Sequence, residues 1–257
     1  MPCEIRVMRP YLGKPLSADC PRAKATRRRF VGNADICSMD IAILAATEGE
    51  IIPVRHAIEE RLHALRHHGF RYIVTGVGIM HSTHAVTRLM GGHRPDLAVQ
   101  VGIAGTFDPG AYPPGSVAVV HSETLGDAGA EESDGTWKDL FDLGLEDPDG
   151  SPYTSGRLLN PYENLLESTG LPKAAGVTVN SVSVDASRIE TLTIRYAPDV
   201  ESMEGAVLHF VCLREGVPFL QMRGISNVVG VRDKGEWRIR ESMQNLQEAL
   251  AAFLLKI

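Results

Sequence analysis

The chain has 257 residues, of which 44% are hydrophobic and 23% are charged, and these values are typical of a globular protein with a sizeable core. The formal net charge of −6 does not favour a nucleic-acid partner. No apolar run approaches the ~20 residues that a membrane span needs. We therefore expect neither a nucleic-acid-binding protein nor a membrane-spanning one.

Residues 1–38 differ in composition from the rest of the chain. They contain eight of the 26 Lys and Arg residues but only three of the 32 acids, and they show no clear periodicity. We interpret this segment as a disordered or non-native leader, and expect one folded domain over residues 39–257. The segment has no apolar core of a secretory signal, and its Cys3, Cys20 and Cys37 lack C-x-x-C spacing. A reducing cytoplasm is the expected location.

From Met39 onward, apolar runs typical of buried strands alternate with segments of helical periodicity. This alternation predicts a single α/β domain whose central sheet is mixed but mainly parallel and is flanked by helices. Residues 124–156 are rich in Gly, Asp, Ser and Pro and predict a long loop. The predicted strands are 41–46, 71–78, 97–105, 116–123, 177–184 and 217–223, and the predicted helices are 50–68, 79–90, 161–168, 186–196, 203–215 and one from about 240.

Polar and glycine residues follow several of the predicted strands. Because ligands collect at the carboxyl ends of parallel strands, we expect these residues to converge on one edge of the sheet. They are Glu48, Gly49 and Glu50; Gly76 and Gly78; Gly102 and Gly105; and Arg223, Ser226 and Asn227.

Sequence motifs for common cofactors are absent. The G-x-G at Gly76 and Gly78 lacks the third glycine of a dinucleotide site, and no P-loop motif occurs. His63 and His67 have the spacing of a metal-binding pair, but they fall in a strongly charged helix, which favours a solvated face. We therefore expect no metal and no cofactor.

The domain from Met39 to Ile257 resembles the nucleoside phosphorylase/nucleosidase superfamily. The segments AATEGEI, VGIAG, ESMEGAVLHFVC and FLQMRGISN resemble, in order and spacing, motifs of the methylthioadenosine/S-adenosylhomocysteine nucleosidases. The tail ISNVVGVRDKGEWRI resembles the futalosine hydrolases more closely. The resemblance implies a nucleoside phosphorylase-like fold, a small-molecule nucleoside substrate, water as co-substrate and a homo-oligomer.

The resemblance also implies roles for individual residues. Glu50 matches the base that activates water, and Glu204 matches the carboxylate that binds the ribose hydroxyls. Arg223 matches an arginine near the nucleophilic water, and Asn227 takes the place of a purine-binding aspartate. Met203 would pack on the ribose, and Gly102, Ile103 and Gly105 would line the ribose and water site.

The residue types suit cleavage of an N-ribosidic bond, which passes through an oxocarbenium-like sugar. An amide at Asn227 can donate to a 6-oxo group, whereas an aspartate suits adenine, so Asn227 favours hypoxanthine. An anionic Glu50 disfavours phosphate, and Arg55 would be a weak phosphate ligand. We therefore expect a hydrolase that releases hypoxanthine from futalosine in menaquinone biosynthesis. An adenine-releasing nucleosidase and a non-catalytic nucleoside-binding relative remain the alternatives.

Overall fold

The computed structural model describes residues 38–65 and 67–257, so the prediction of a leader falls outside the described residues except at Ser38. Within this part of the chain, none of the helices combines the length and apolar character required to cross a membrane. The described residues form ten strands and seven α-helices. The strands are β1 (Asp40–Ala45), β2 (Gly69–Val74), β3 (Leu97–Thr106), β4 (Val117–Leu125), β5 (Gly129–Glu131), β6 (Trp137–Asp139), β7 (Leu158–Leu159), β8 (Lys173–Thr178), β9 (Val200–Ser202) and β10 (Phe219–Val228).

The helices fall between the strands, as the alternating pattern predicts. Asp185 caps α5 by accepting hydrogen bonds from the backbone N–H groups of Ser187 and Arg188, as expected of an N-cap aspartate. The helices are α1 (Glu48–Glu59), α2 (Leu62–Leu65), α3 (Gly78–Gly91), α4 (Glu163–Ser168), α5 (Ala186–Tyr196), α6 (Gly205–Glu215) and α7 (Ile239–Leu254).

The central sheet has eight strands and is mixed but mainly parallel, which confirms the predicted fold class. Its order is β10-β4-β8-β9-β3-β1-β2, with β7 paired to β4. A further pairing between β10 and β3 closes β3, β10, β4, β8 and β9 into a ring, and β1 and β2 extend outward from β3. The ring has no free edge between these five strands, so its interior is shielded from solvent.

Apolar side chains pack on both sides of the part of the sheet that contains β1. One cluster joins β1 and β3 to α1 and α7 through residues such as Ile51, Leu246 and Phe253. A second cluster joins the opposite face to α3 and α6 through Val86 and Leu208. The helices that begin at the carboxyl ends of these strands are therefore held rigidly.

The structure differs from the sequence predictions at several places. β10 runs to Val228 rather than 223, so Arg223, Ser226 and Asn227 lie within the strand rather than after it. The strand predicted at 177–184 is wrong for most of its length, since β8 ends at Thr178, where its pairing with both β4 and β9 stops. The predicted long loop at 124–156 contains the β5–β6 hairpin. The helix predicted at 50–68 is divided, since α1 ends at Glu59.

Candidate active site

A cavity of about 420 Å³ lies where β1, β3 and β10 end and where α1 and α6 begin. Six of the eight predicted site residues line this cavity, and the other two, Gly102 and Arg223, lie directly behind its wall. The six lining residues are Glu50, Ile103, Gly105, Met203, Glu204 and Asn227.

The Glu50 carboxylate is fixed from two elements. Its Oε2 accepts hydrogen bonds from the backbone N–H of Thr47 at 3.0 Å and from the Thr47 hydroxyl at 2.8 Å. Its Oε1 accepts from the backbone N–H of Ile103 on β3 at 3.2 Å. A first-turn glutamate of this kind is favoured at a helix N-terminus. The carboxylate therefore has a defined orientation at the cavity before any ligand binds.

Gly102 allows a guanidinium to lie close to the Glu50 carboxylate. A Cβ atom at Gly102 would lie 2.7 Å from Nη1 of Arg223 and 2.8 Å from Oε1 of Glu50. Arg223 is only 2% exposed, and its Nη2 donates to Oε1 of Gln100 at 3.2 Å. The positive charge is therefore buried behind the cavity wall, out of contact with solvent.

The Glu204 side chain is buried at the start of α6. Its Oε1 accepts a hydrogen bond from the backbone N–H of Gly78 at 2.8 Å. Gly78 begins α3 with a φ of +83°, a conformation that favours glycine. Burial raises the pKa of the Glu204 carboxyl, while the charge of Arg223 and the Gly78 hydrogen bond oppose that increase. Two helix starts therefore position this carboxylate.

Asn227 reaches the cavity because of a β-bulge. The register between β10 and β3 shifts after Ile225, so that Asn227 lies opposite Gly105. The Asn227 Nδ2 donates to the carbonyl of Val228 at 2.9 Å, and the hydroxyl of Ser226 donates to Oδ1 at 2.7 Å. If the amide were flipped, its Oδ1 would face the carbonyl oxygen of Val228, and two acceptors would oppose each other. The orientation of the amide is therefore defined. One N–H and one lone pair remain for a ligand.

Several lining residues were not identified from the sequence. Trp237, Ile239 and Met243 form an apolar wall of the cavity together with Val182. The indole Nε1 of Trp237 donates to the carbonyl of Val231 at 3.0 Å, which fixes the ring. For Trp237, Ile239 and Met243 the only signal was their position after the ISN segment, because their apolar character is equally typical of core residues. Val182 fell in the strand predicted at 177–184 and carried no such signal.

A polar cluster is buried behind the cavity, inside the strand ring. Glu123 of β4 is fully buried, and its carboxylate accepts hydrogen bonds from Nε2 of Gln221 at 2.8 Å and from the hydroxyl of Thr178 at 2.9 Å. Burial raises the pKa of Glu123 to about 7, against the opposing effects of Gln221, Arg223 and Thr178. Burial likewise lowers the pKa of His209 to about 3.

Replacing Glu123 with glutamine should change how stability depends on pH. A carboxyl whose pKa rises from 4.5 to about 7 on folding stabilises the folded state below pH 4.5, and this contribution is lost as the pH rises through 7. The variant lacks this loss, so its unfolding free energy relative to that of the wild type should rise by up to about 3 kcal/mol between pH 5 and pH 8. Urea unfolding between pH 5 and 8 measures this difference. The exposed Glu248→Gln variant is the control, and parallel curves for Glu123→Gln and the wild type would contradict the prediction.

Comparison with known proteins places this site in a family. Residues 40–257 match the model of the phosphorylase superfamily. The chain is 30% identical over 193 residues to a futalosine hydrolase of Thermus thermophilus, covering 72% of this chain and 81% of that protein. It is 35% identical over 156 residues to a futalosine hydrolase of Streptomyces coelicolor, covering 60% of this chain and 63% of that protein. The chain therefore belongs to the phosphorylase superfamily.

Solved structures agree with this assignment at the level of the fold. A futalosine hydrolase mutant of Helicobacter pylori superposes with a TM-score of 0.67 at 17% identity, covering 85% of this chain and 99% of that chain. A 5′-methylthioadenosine/S-adenosylhomocysteine nucleosidase of the same organism superposes with a TM-score of 0.69 at 17% identity, covering 86% of this chain and 99% of that chain. From its family and its futalosine hydrolase relatives, we conclude that this protein is an N-glycosyl hydrolase.

Proposed function

We propose that this protein hydrolyses the N-glycosidic bond of futalosine and releases hypoxanthine, leaving dehypoxanthine futalosine. The observation that carries the proposal is the placement of Glu50, Glu204 and Asn227 around one cavity, in a chain whose curated relatives are futalosine hydrolases. Each of these groups has a part in the cleavage of a nucleoside. The product would enter the futalosine pathway of menaquinone biosynthesis.

In this mechanism Glu50 is the general base. It accepts a proton from the water that attacks the anomeric carbon, and its hydrogen bonds from Thr47 and Ile103 hold the carboxylate in place for that transfer. The bond from that carbon to the base nitrogen breaks, and the base leaves with the electron pair and takes up a proton from solvent at N7. The Glu204 carboxylate binds the ribose hydroxyls and stabilises the positive charge that develops on the sugar. Arg223 acts from behind Gly102, where its charge favours the ionised form of Glu204.

The chemistry of the cavity supports water rather than phosphate as the nucleophile. Among the described residues that line it, none is lysine, arginine or histidine. Arg55 is 56% exposed and forms an ion pair with Glu59 at 2.7 Å. A phosphate anion at this position would face the Glu50 carboxylate without a lining cation, which is electrostatically unfavourable.

The remaining hydrogen-bonding capacity of Asn227 supports a 6-oxopurine. Its free N–H can donate to the 6-oxo group of hypoxanthine, and its free lone pair can accept from a protonated N7. Adenine would present a 6-amino donor to the amide N–H, and such a mismatch costs about 1–3 kcal/mol. The specificity for hypoxanthine over adenine therefore depends on this side chain.

Replacing Asn227 with aspartate should shift the preference toward 6-amino substrates. A carboxyl group can accept from a 6-amino group, so we expect the ratio of kcat/KM for futalosine to that for its 6-amino counterpart to fall by about tenfold to a hundredfold. Chromatography of the released bases measures this ratio. Gln244→Glu, which makes the same amide-to-carboxyl change on the exposed face of α7, is the matched control. An unchanged ratio in Asn227→Asp would refute the assignment of Asn227 as the residue that reads the base.

The function itself is tested by base release from a nucleoside panel, with and without phosphate. We expect free hypoxanthine from futalosine at a rate independent of phosphate. Adenine release from methylthioadenosine or aminodeoxyfutalosine that is faster than hypoxanthine release from futalosine would instead support the adenine-releasing alternative. Tight binding of a nucleoside without turnover would support a non-catalytic relative. A cytoplasmic location and a homo-oligomer complete the proposal, and light scattering of the purified protein tests the latter.

A further inference from the structure

Glu123 has a connection to the site that its burial alone does not explain. Its Oε2 accepts from the hydroxyl of Thr178, and that hydroxyl accepts at 2.8 Å from the backbone N–H of Ala206 in the first turn of α6. Ala206 is two residues beyond Glu204. A continuous hydrogen-bonded path therefore runs from the Glu123 carboxylate to the segment that carries the Glu204 carboxylate.

Two glycines make room for the Glu123 carboxylate at this position. A Cβ atom on Gly176 of β8 or on Gly205 of α6 would overlap Oε1 of Glu123. The carboxylate is therefore packed directly against the backbone at the start of α6, where the helix dipole favours a negative charge. One carboxylate, Glu123, lies on the inner side of this helix start, and the other, Glu204, faces the cavity.

Other contacts hold the same backbone from different directions. The hydroxyl of Ser202 accepts from the N–H of Gly205 at 3.2 Å, and Nε2 of Gln100 donates to the carbonyl of Glu204 at 3.4 Å. Both distances are longer than the 2.8–2.9 Å of the path through Thr178. The Thr178 path is thus shorter than the contacts that Ser202 and Gln100 make with the backbone at the start of α6.

We propose that Glu123 is a positioning residue that acts through Thr178 on the start of α6 and so sets the orientation of the Glu204 carboxylate toward the ribose. The proposal rests on the proposed function, because it takes Glu204 as the group that binds the ribose hydroxyls. A misdirected Glu204 carboxylate would bind the ribose diol less well. Binding of a substrate that lacks the 2′-hydroxyl would be weakened little. The effect of breaking the path should therefore depend on the substrate.

Thr178→Val tests the path, because it removes the hydroxyl and preserves the side-chain shape. We expect kcat/KM for futalosine to fall by about tenfold, and that for 2′-deoxyfutalosine to change little. Thr178→Ser retains the hydroxyl and should restore wild-type values. Thr124→Val is the matched control on β4, because the buried Thr124 hydroxyl has no hydrogen-bond partner among the described residues. Glu123→Met should reproduce Thr178→Val if it folds, as judged by its thermal unfolding.

The decisive comparison is made in a Glu204→Gln background, where Thr178→Val should cause no further loss. Equal losses on the two sugars, an undiminished loss in the Glu204→Gln background, or behaviour like that of Thr124→Val would overturn the proposal. If the wild type releases no hypoxanthine from futalosine, the proposed function fails separately. The positioning role is then tested by calorimetric binding of inosine and 2′-deoxyinosine. Thr178→Val should weaken the binding of inosine but not that of 2′-deoxyinosine, so the two dissociation constants should become more similar. An unchanged ratio of the two constants would overturn the positioning role.

Discussion

Replacing Glu50 with glutamine is expected to lower kcat for futalosine hydrolysis by about a hundredfold to ten-thousandfold, because an amide cannot accept the proton of the attacking water. Substrate binding should change little, since glutamine preserves the shape and keeps one acceptor oxygen, which can serve either the Ile103 N–H or the two Thr47 groups. Single-turnover hypoxanthine release gives the rate, and calorimetry with the same variant gives the affinity.

Glu48→Gln is the matched control for this prediction. Glu48 is also an acid in the first turn of α1, but it is exposed and does not line the cavity. It should retain wild-type activity, so that a loss confined to Glu50→Gln reflects proton transfer rather than the stability of α1. A Glu50→Gln variant with wild-type kcat would rule out Glu50 as the base.

Replacing Glu204 with glutamine is the second change with a large expected effect. A neutral amide stabilises a developing oxocarbenium charge less than a carboxylate does, so kcat/KM for futalosine should fall by about a hundredfold or more. The loss on 2′-deoxyfutalosine should be smaller, because that substrate lacks one of the hydroxyls that the carboxylate binds. Initial rates on both substrates measure the two losses.

The Glu204 variant should not fail by unfolding. Burial raises the pKa of this carboxyl, so its ionised form destabilises the folded state above that pKa, and a neutral amide removes the penalty. Thermal unfolding at pH 8 should therefore give a midpoint no lower than that of the wild type. Glu215→Gln, at the exposed C-terminal end of α6, is the control and should leave both rates unchanged. Equal losses on the two sugars would contradict a ribose-binding role for Glu204.

The sequence was sufficient to predict the sheet class and the convergence of the site. Alternating apolar and helical segments predicted a mainly parallel sheet, and strand ends then indicated Glu50 and Asn227. These two residues line one cavity together with Glu204, which the family resemblance indicated. The prediction worked because parallel strands place their carboxyl ends at a common edge. Their assignment to particular chemical roles depended on the family resemblance, since a first-turn glutamate is equally favoured by a helix dipole.

Features that depend on long-range pairing could not be predicted from local patterns. The alternation in VTVNSVSV is typical of a strand, but β8 lies mostly before it and ends at Thr178, where its pairing with both β4 and β9 stops. Glu123 is the last residue of the strand predicted at 116–123, and nothing in that pattern indicates that the closure of the strand ring buries it. Trp237 carried no periodic signal, because it follows a short 3₁₀ turn.

The closed strand ring has a consequence for how the active site comes into being. Arg223 and Gln100 are hydrogen-bonded neighbours although 123 residues separate them, and the strands that carry them complete the ring. Contacts of such long range form late and slowly in folding. A ligand present at a concentration a hundred times its dissociation constant would raise the free energy of unfolding of the domain by about 2.7 kcal/mol. A higher substrate concentration would therefore reduce the unfolded fraction of the enzyme in the cell.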